Sequence, residues 1–162
     1  PIYFFVAVAF WNLVGAGVFG FLINPPIVLY YAQGINTTPI HSHGALFGVY
    51  GMLAISLMLF SVRHIITKAS WSDRLLKWSF WGLNCGLAAM MIFSLIPSGF
   101  YQFYHAIKEG LWYARSPEIA SSEFIRTVTW MRALPDVVFA VGAFSLLLFL
   151  LRGIWLSYFK KS

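Results

Sequence analysis

Charge is scarce in this chain: 10% of its residues are Asp, Glu, Lys or Arg, against roughly a quarter in a soluble domain. Cysteine is nearly absent. Cys85 is the only one, so there is no disulfide framework and no Cys pair at metal-ligand spacing. Its place inside an apolar run reads as packing. A glycine-rich phosphate loop and a nucleophile motif are also missing. Acidic residues number 5 against 11 basic ones, for a formal net charge of +6. That excess does not form the basic face of a nucleic-acid binder. The basic residues stand beside apolar runs, as the positive-inside rule expects, and nucleic acid is not an expected partner.

What is present is apolar. Hydrophobic residues make up 60% of the chain, and the mean hydropathy is +0.76. These values describe an all-α integral membrane protein whose outer surface is solvated by a lipid bilayer. Hydropathy predicts four spans, at about residues 2–23, 39–66, 75–96 and 134–158, each of a length suited to a hydrocarbon core about 30 Å thick. They are expected to form one membrane domain over 1–162, with a more polar outer segment at about 98–130. The first run is too long and too poorly flanked for a signal peptide. Because residue 1 is proline, the sequence is expected to be a fragment or an internally started piece.

Loop charges set the orientation. Arg63, His64, Lys68, Arg74 and Lys77 are opposed only by Asp73, and Lys160-Lys161 closes the chain. Both regions are expected on the cytoplasmic side of a bacterial-type inner membrane, together with both termini. The stretch Asn24–Thr38 is uncharged, and the outer segment balances Lys108, Arg115 and Arg126 against Glu109, Glu118 and Glu123. Trp112, Tyr113 and Trp130 read as interfacial aromatics, and Ser122 with the acidic residue after it marks a helix start. Two small-xxx-small pairs, Ala16/Gly20 and Gly82/Gly86, predict close helix contacts. Pro25-Pro26 and Pro97-Ser98-Gly99 are expected to end the first and third spans. Asn12, at mid-membrane depth, is expected to hydrogen-bond another helix.

The rest of the chain is organised around Thr38-Pro39-Ile40-His41-Ser42-His43-Gly44, continuing to Gly51. Pro39 suits the first turn of a helix, and Thr37 or Thr38 suits its cap. A helix turns by about 100° per residue, so His41 and His43 project to nearly opposite sides. They do not suit one shared metal. They suit two cofactors, one on each side, and neutral imidazole is a good axial ligand for haem iron. Gly44, Gly48 and Gly51 clear a stripe against which a flat macrocycle or a second helix can lie. Two polar groups bonded to water or backbone near an interface are the plainer alternative.

Other candidates are weaker. Asp136 follows Pro135 at the outer start of the last span, as the only acidic residue within or bordering the four predicted spans. It is either a favourable anion in a first helical turn or an acceptor for a quinol hydroxyl proton. Arg132, one turn earlier, is a partner for Asp136 or for a haem propionate. His64 reads as an interfacial residue. His105, in the outer segment, has no evident co-ligand.

His41-Ser42-His43-Gly44 followed by Leu46-Phe47-Gly48-Val49-Tyr50-Gly51 resembles the tenth transmembrane helix of the haem–copper oxidase superfamily, most closely its nitric oxide reductase branch. Phe10-Trp11-Asn12 through Gly15–Phe21, then Asn24-Pro25-Pro26, is similar to the preceding helix of that branch. Gly110–Ser116 is similar to a late outer loop of its quinol-dependent, single-chain form. The resemblance covers nearly the whole chain, as the last four helices of a catalytic subunit several times longer. It implies reduction of two NO to N₂O and water, with electrons passing from quinol through a low-spin to a high-spin b-type haem facing a non-haem iron. By position it assigns His41 to the high-spin haem and His43 to the low-spin haem, and it places an acidic residue of the last helix, here Asp136, near the quinol. His41 and His43, the two membrane-embedded histidines, do not satisfy this whole ligand set. The second low-spin ligand and the non-haem iron ligands are expected on missing N-terminal helices of the same enzyme. A copper-containing terminal oxidase, a small haem-binding anchor and a non-catalytic bundle are the other readings.

Overall fold

The computed structural model describes residues 2–158. The Lys160-Lys161 tail used in the orientation argument lies outside the described residues, as does Pro1. Every regular element among the described residues is helical. Four helices are long and apolar enough to cross a membrane: α1 (Ile2–Ile23), α3 (Thr37–Val62), α4 (Asp73–Glu109) and α7 (Glu123–Tyr158). Short helices lie between them: α2 (Pro26–Ala32), α5 (Leu111–Ala114) and α6 (Pro117–Ala120).

Backbone-to-backbone approach at glycine organises the bundle. α1 and α3 run antiparallel and touch at Gly15 and Gly44, where a Cβ on Gly15 would stand 2.6 Å from the Gly44 Cα. One turn inward, Gly48 receives the Trp11 ring. α4 and α7 pair in the same way at Gly82 and Gly142, and Gly86 receives the Phe139 backbone. Close approach of this kind suits a bilayer, where lipid is as apolar as the side chains and contact area must come from tight packing. The Gly82/Gly86 contact follows the sequence pattern. On α1 the closest approach is made by Gly15, one residue from the expected Ala16, while Gly20 faces His41.

A buried polar pin joins three helices. The Trp11 indole N–H donates to Asn84 Oδ1 at 2.9 Å, and the Asn84 amide donates to the Phe80 carbonyl at 2.8 Å and reaches Met52 Sδ at 3.9 Å. α4 is the most enclosed element, with 44% of its apolar window buried against 22% for each of the other three. It is the hub of the bundle. Asn12, expected to make an interhelical bond, is exposed, and Trp11 beside it makes that bond instead.

Three spans differ from their expected ends: α3 stops at Val62 and not near Ile66, while α4 and α7 are longer than expected. α4 does not stop near Ile96 but continues through Pro97 to Glu109. The π-helical turn Met91–Leu95 precedes the proline and shifts the hydrogen-bond register, and Ser98 Oγ donates to the Ser94 carbonyl at 2.7 Å. Such local adjustments and serine hydroxyls satisfy the backbone groups that proline leaves unpaired. α7 begins after Ser122, whose hydroxyl caps Ile125 N–H, and runs through one turn at Arg132 into the last span. Part of the outer segment is thus an extension of two spanning helices. Gln102 accepts from Asn36 N–H at 2.8 Å and Arg115 donates to the Gln33 carbonyl, which ties that segment to the turn leading into α3.

Candidate functional site

The two histidines sit where two irregular helical segments meet. Asn12–Val18 of α1 and His43–Gly51 of α3 are both π-helical, and they pack on each other around Gly15 and Gly44. π-turns inside α-helices occur often at functional sites.

His41 is half-buried and leans on α1. Its Nδ1 lies 2.9 Å from the Gly15 carbonyl oxygen. A carbonyl only accepts, so Nδ1 carries the proton and, in the neutral ring, Nε2 keeps its lone pair. Gly20 makes room for the ring, since a Cβ there would stand 3.0 Å from His41 Cε1. His43 is built by the same rule from its own helix: its Nδ1 lies 2.8 Å from the Pro39 carbonyl. Both rings therefore offer Nε2 as the coordinating atom. A backbone carbonyl on the other ring nitrogen is the usual outer partner of a metal-bound histidine, fixing the tautomer and raising ligand basicity. Ser42, between them, returns its hydroxyl to the Thr38 and Pro39 carbonyls and takes no part.

The glycine stripe is occupied. Gly44 and Gly48 are covered by Gly15 and Trp11 of α1, and Gly51 by the Phe47 ring of its own helix. Of the two occupants open to it, a second helix fills the stripe, so no macrocycle lies flat there. A planar group on either imidazole has to lie beyond Nε2, away from this contact.

Asp136 does not meet either histidine directly. It pairs with Arg132, whose Nε donates to both carboxylate oxygens at 3.2 and 3.1 Å. Its place in the register is informative. The Phe47 and Phe139 rings meet edge-on at 4.8 Å between α3 and α7. His43 stands one turn outward of Phe47, and Asp136 one turn outward of Phe139. Asp136 itself is exposed. Asp136 is not alone as an acid of the long helices, because the extended α4 and α7 also take in Asp73, Glu109 and Glu123.

His64 is exposed just past the C-terminal end of α3, against the Phe60 ring. His105 does have a partner, Glu109 one turn on, at 3.3 Å from Nδ1, and it lies among the rings of Tyr101, Tyr104 and Tyr113. That i,i+4 spacing was legible in the sequence. Partial burial pushes the Tyr113 hydroxyl above its ordinary value, and the carboxylates of Glu118 and Glu109 add to the shift. Cys85 is exposed. Among the described residues no three His, Cys, Asp or Glu side chains converge as a metal site.

Residues 1–149 match the family described as cytochrome c and quinol oxidase polypeptide I. The chain belongs to that family. It is thus part of the haem–copper oxidase superfamily of oxidoreductases, which bind haem, and its four membrane-spanning helices fit that helical bundle. It is also similar to a subunit of the nitric oxide reductase of Stutzerimonas stutzeri, 27% identical over 140 residues. The match covers 80% of this chain and 28% of that relative, so the chain spans less than a third of the relative's length. The residues present fit a haem. Among the described residues two imidazoles have Nδ1 held by backbone and no hydrogen bond at Nε2, a donor set that suits iron ligation.

Proposed function

We propose that this chain is the haem-ligating C-terminal part of a respiratory nitric oxide reductase driven by quinol. The reaction joins two NO with two electrons and two protons to give N₂O and water. The observation that supports it most is that His41 and His43, two residues apart on one helix, each tie Nδ1 to backbone and have no hydrogen bond at Nε2 among the described residues. In this reading His41 would hold a high-spin b-type haem and His43 a low-spin b-type haem. When bound, the haems supply one-electron redox chemistry and an iron that binds NO. The chain's own residues do the rest: Gly15 and Pro39 hold the ligand rings, Gly20 seats one of them, and the Gly15–Gly44 contact fixes the distance between α1 and α3.

Asp136 works at the donor end in this reading. Its carboxylate, paired with Arg132 at the start of the last span, would accept a proton from a quinol hydroxyl. The second low-spin ligand and the ligands of a non-haem iron lie on polypeptide outside these 162 residues. The enzyme works in an inner membrane, with the Arg63–Lys77 end facing the cytoplasm.

The family description also covers oxygen-reducing oxidases, and the likeness to a nitric oxide reductase subunit favours NO over O₂. Purification of the intact membrane protein tests the choice. Two b-type haems and NO consumption with reduced quinol support the proposal. A haem-free protein, or one that reduces O₂ and not NO, contradicts it.

A further inference from the structure

Far from the histidines, a cleft of about 440 Å³ opens between the inner ends of α1 and α4. Tyr3 and Phe4 form one wall, and Phe80 and Trp81 the other, with Asp73 and Lys77 at the mouth. The Phe80 ring meets Phe4 edge-on at 5.3 Å and Tyr3 at 6.1 Å, which closes the apolar floor. Tyr3 and Trp81 are 67% and 61% exposed, as amphipathic rings at a membrane interface are.

Asp73, Lys77 and Trp81 follow one another at four-residue steps along one face of α4, each step rising about 6 Å. Among the described residues no ion pair joins Asp73 to Lys77. Asp73 Oδ1 accepts from the Trp71 indole at 3.1 Å, and its second oxygen retains capacity to accept. α4 enters the bilayer from its Asp73 end. From water inward the cleft therefore presents a carboxylate, then an ammonium, then aromatic walls.

A phospholipid with an ethanolamine headgroup presents the complementary order: a primary ammonium outermost, then a phosphate, then an acyl chain. We infer that this cleft binds one such lipid, with its ammonium on Asp73, its phosphate on Lys77 and an acyl chain over the Phe4–Phe80 floor, between Tyr3 and Trp81. Lys77 attracts the phosphate of any of these lipids, so the discrimination falls to Asp73. A choline headgroup has no N–H to give the carboxylate. A phosphoglycerol headgroup has no cation and sets its negative charge beside Asp73.

The test is native mass spectrometry on the delipidated full-length membrane protein, titrated with dioleoyl lipids bearing ethanolamine, choline or glycerol headgroups. One ethanolamine lipid is expected to bind with a preference of roughly tenfold over the other two, the scale of one charge-assisted hydrogen bond. Asp73→Asn is expected to bring the ethanolamine-to-choline ratio close to one. Lys77→Gln is expected to weaken all three lipids. Both side chains are exposed, and unchanged helicity and cofactor content verify that the variants are folded. Equal binding of the three lipids by the unaltered protein overturns the inference. So does an unchanged ratio in Asp73→Asn, or a segment of polypeptide filling the cleft in a map of the full-length protein.

Discussion

The Nδ1–H of His41 on α3 donates to the Gly15 carbonyl on α1 at 2.9 Å. One bond thus ties a candidate ligand on one helix to the backbone of the next, at the place where the two helices come closest. The orientation of the imidazole depends on the Gly15–Gly44 contact.

That contact leaves no room for a side chain. Gly15→Ala would put a Cβ 2.6 Å from the Gly44 backbone, and Gly44→Ala one 2.6 Å from the Gly15 Cα. Each is expected to cost about 1–3 kcal/mol, the usual range for overpacking, and to lower haem content with it. Gly17→Ala is the control, because its Cβ meets only the Asn12 carbonyl, at 3.2 Å. Thermal midpoints of the three variants check this. A Gly15→Ala protein as stable as Gly17→Ala contradicts the close packing.

The Trp11–Asn84 bond lies in the apolar core of the bundle. Asn84→Leu strands a buried indole N–H and is expected to destabilise by about 1–2 kcal/mol. Trp11→Phe together with Asn84→Leu removes both partners and is expected to cost less than the sum of the two single changes. A double-mutant cycle with no coupling contradicts the bond.

The spans were legible because hydropathy over about twenty residues depends on composition alone. α1 illustrates this: its apolar helix runs to Ile23, just ahead of Pro25-Pro26. What escaped was set by local hydrogen bonding. Nothing in Met91–Leu95 announces a π-turn, so Pro97 read as a terminator and α4 came out short. The paired histidines stood out because two ionisable groups inside an apolar run are rare. The partners of those histidines did not, because Gly15 and Pro39 act through backbone carbonyls that every residue has. Asn12 is the polar residue of its turn, yet the interhelical bond belongs to Trp11, because α1 buries the Trp11 face and exposes Asn12.

Asp136 is expected to serve the electron donor. Asp136→Asn keeps the shape and removes the base, and it also weakens the pair with Arg132. Quinol-driven turnover is expected to fall about 10²–10⁴-fold, the usual loss on removing a positioned proton acceptor, with turnover on an artificial reductant largely kept. A purely structural Asp136 predicts instead a loss of about 1 kcal/mol or less in stability and both activities intact. Equal loss of both activities, with normal haem content, refutes the donor role.

Orientation rests on the Lys/Arg-rich loop between α3 and α4. With Cys85 replaced by serine, Ser121→Cys is expected to react with a membrane-impermeant thiol reagent in sealed cells, and Ser70→Cys only after lysis. Labelling of position 70 from outside reverses the topology.

The central claim is that His41 and His43 serve different haems. Optical and paramagnetic resonance spectra of His41→Ala and His43→Ala in the intact enzyme test it most directly. His43→Ala is expected to abolish the low-spin signal and keep much of the high-spin one, and His41→Ala to do the reverse. Loss of one and the same haem in both variants contradicts the claim.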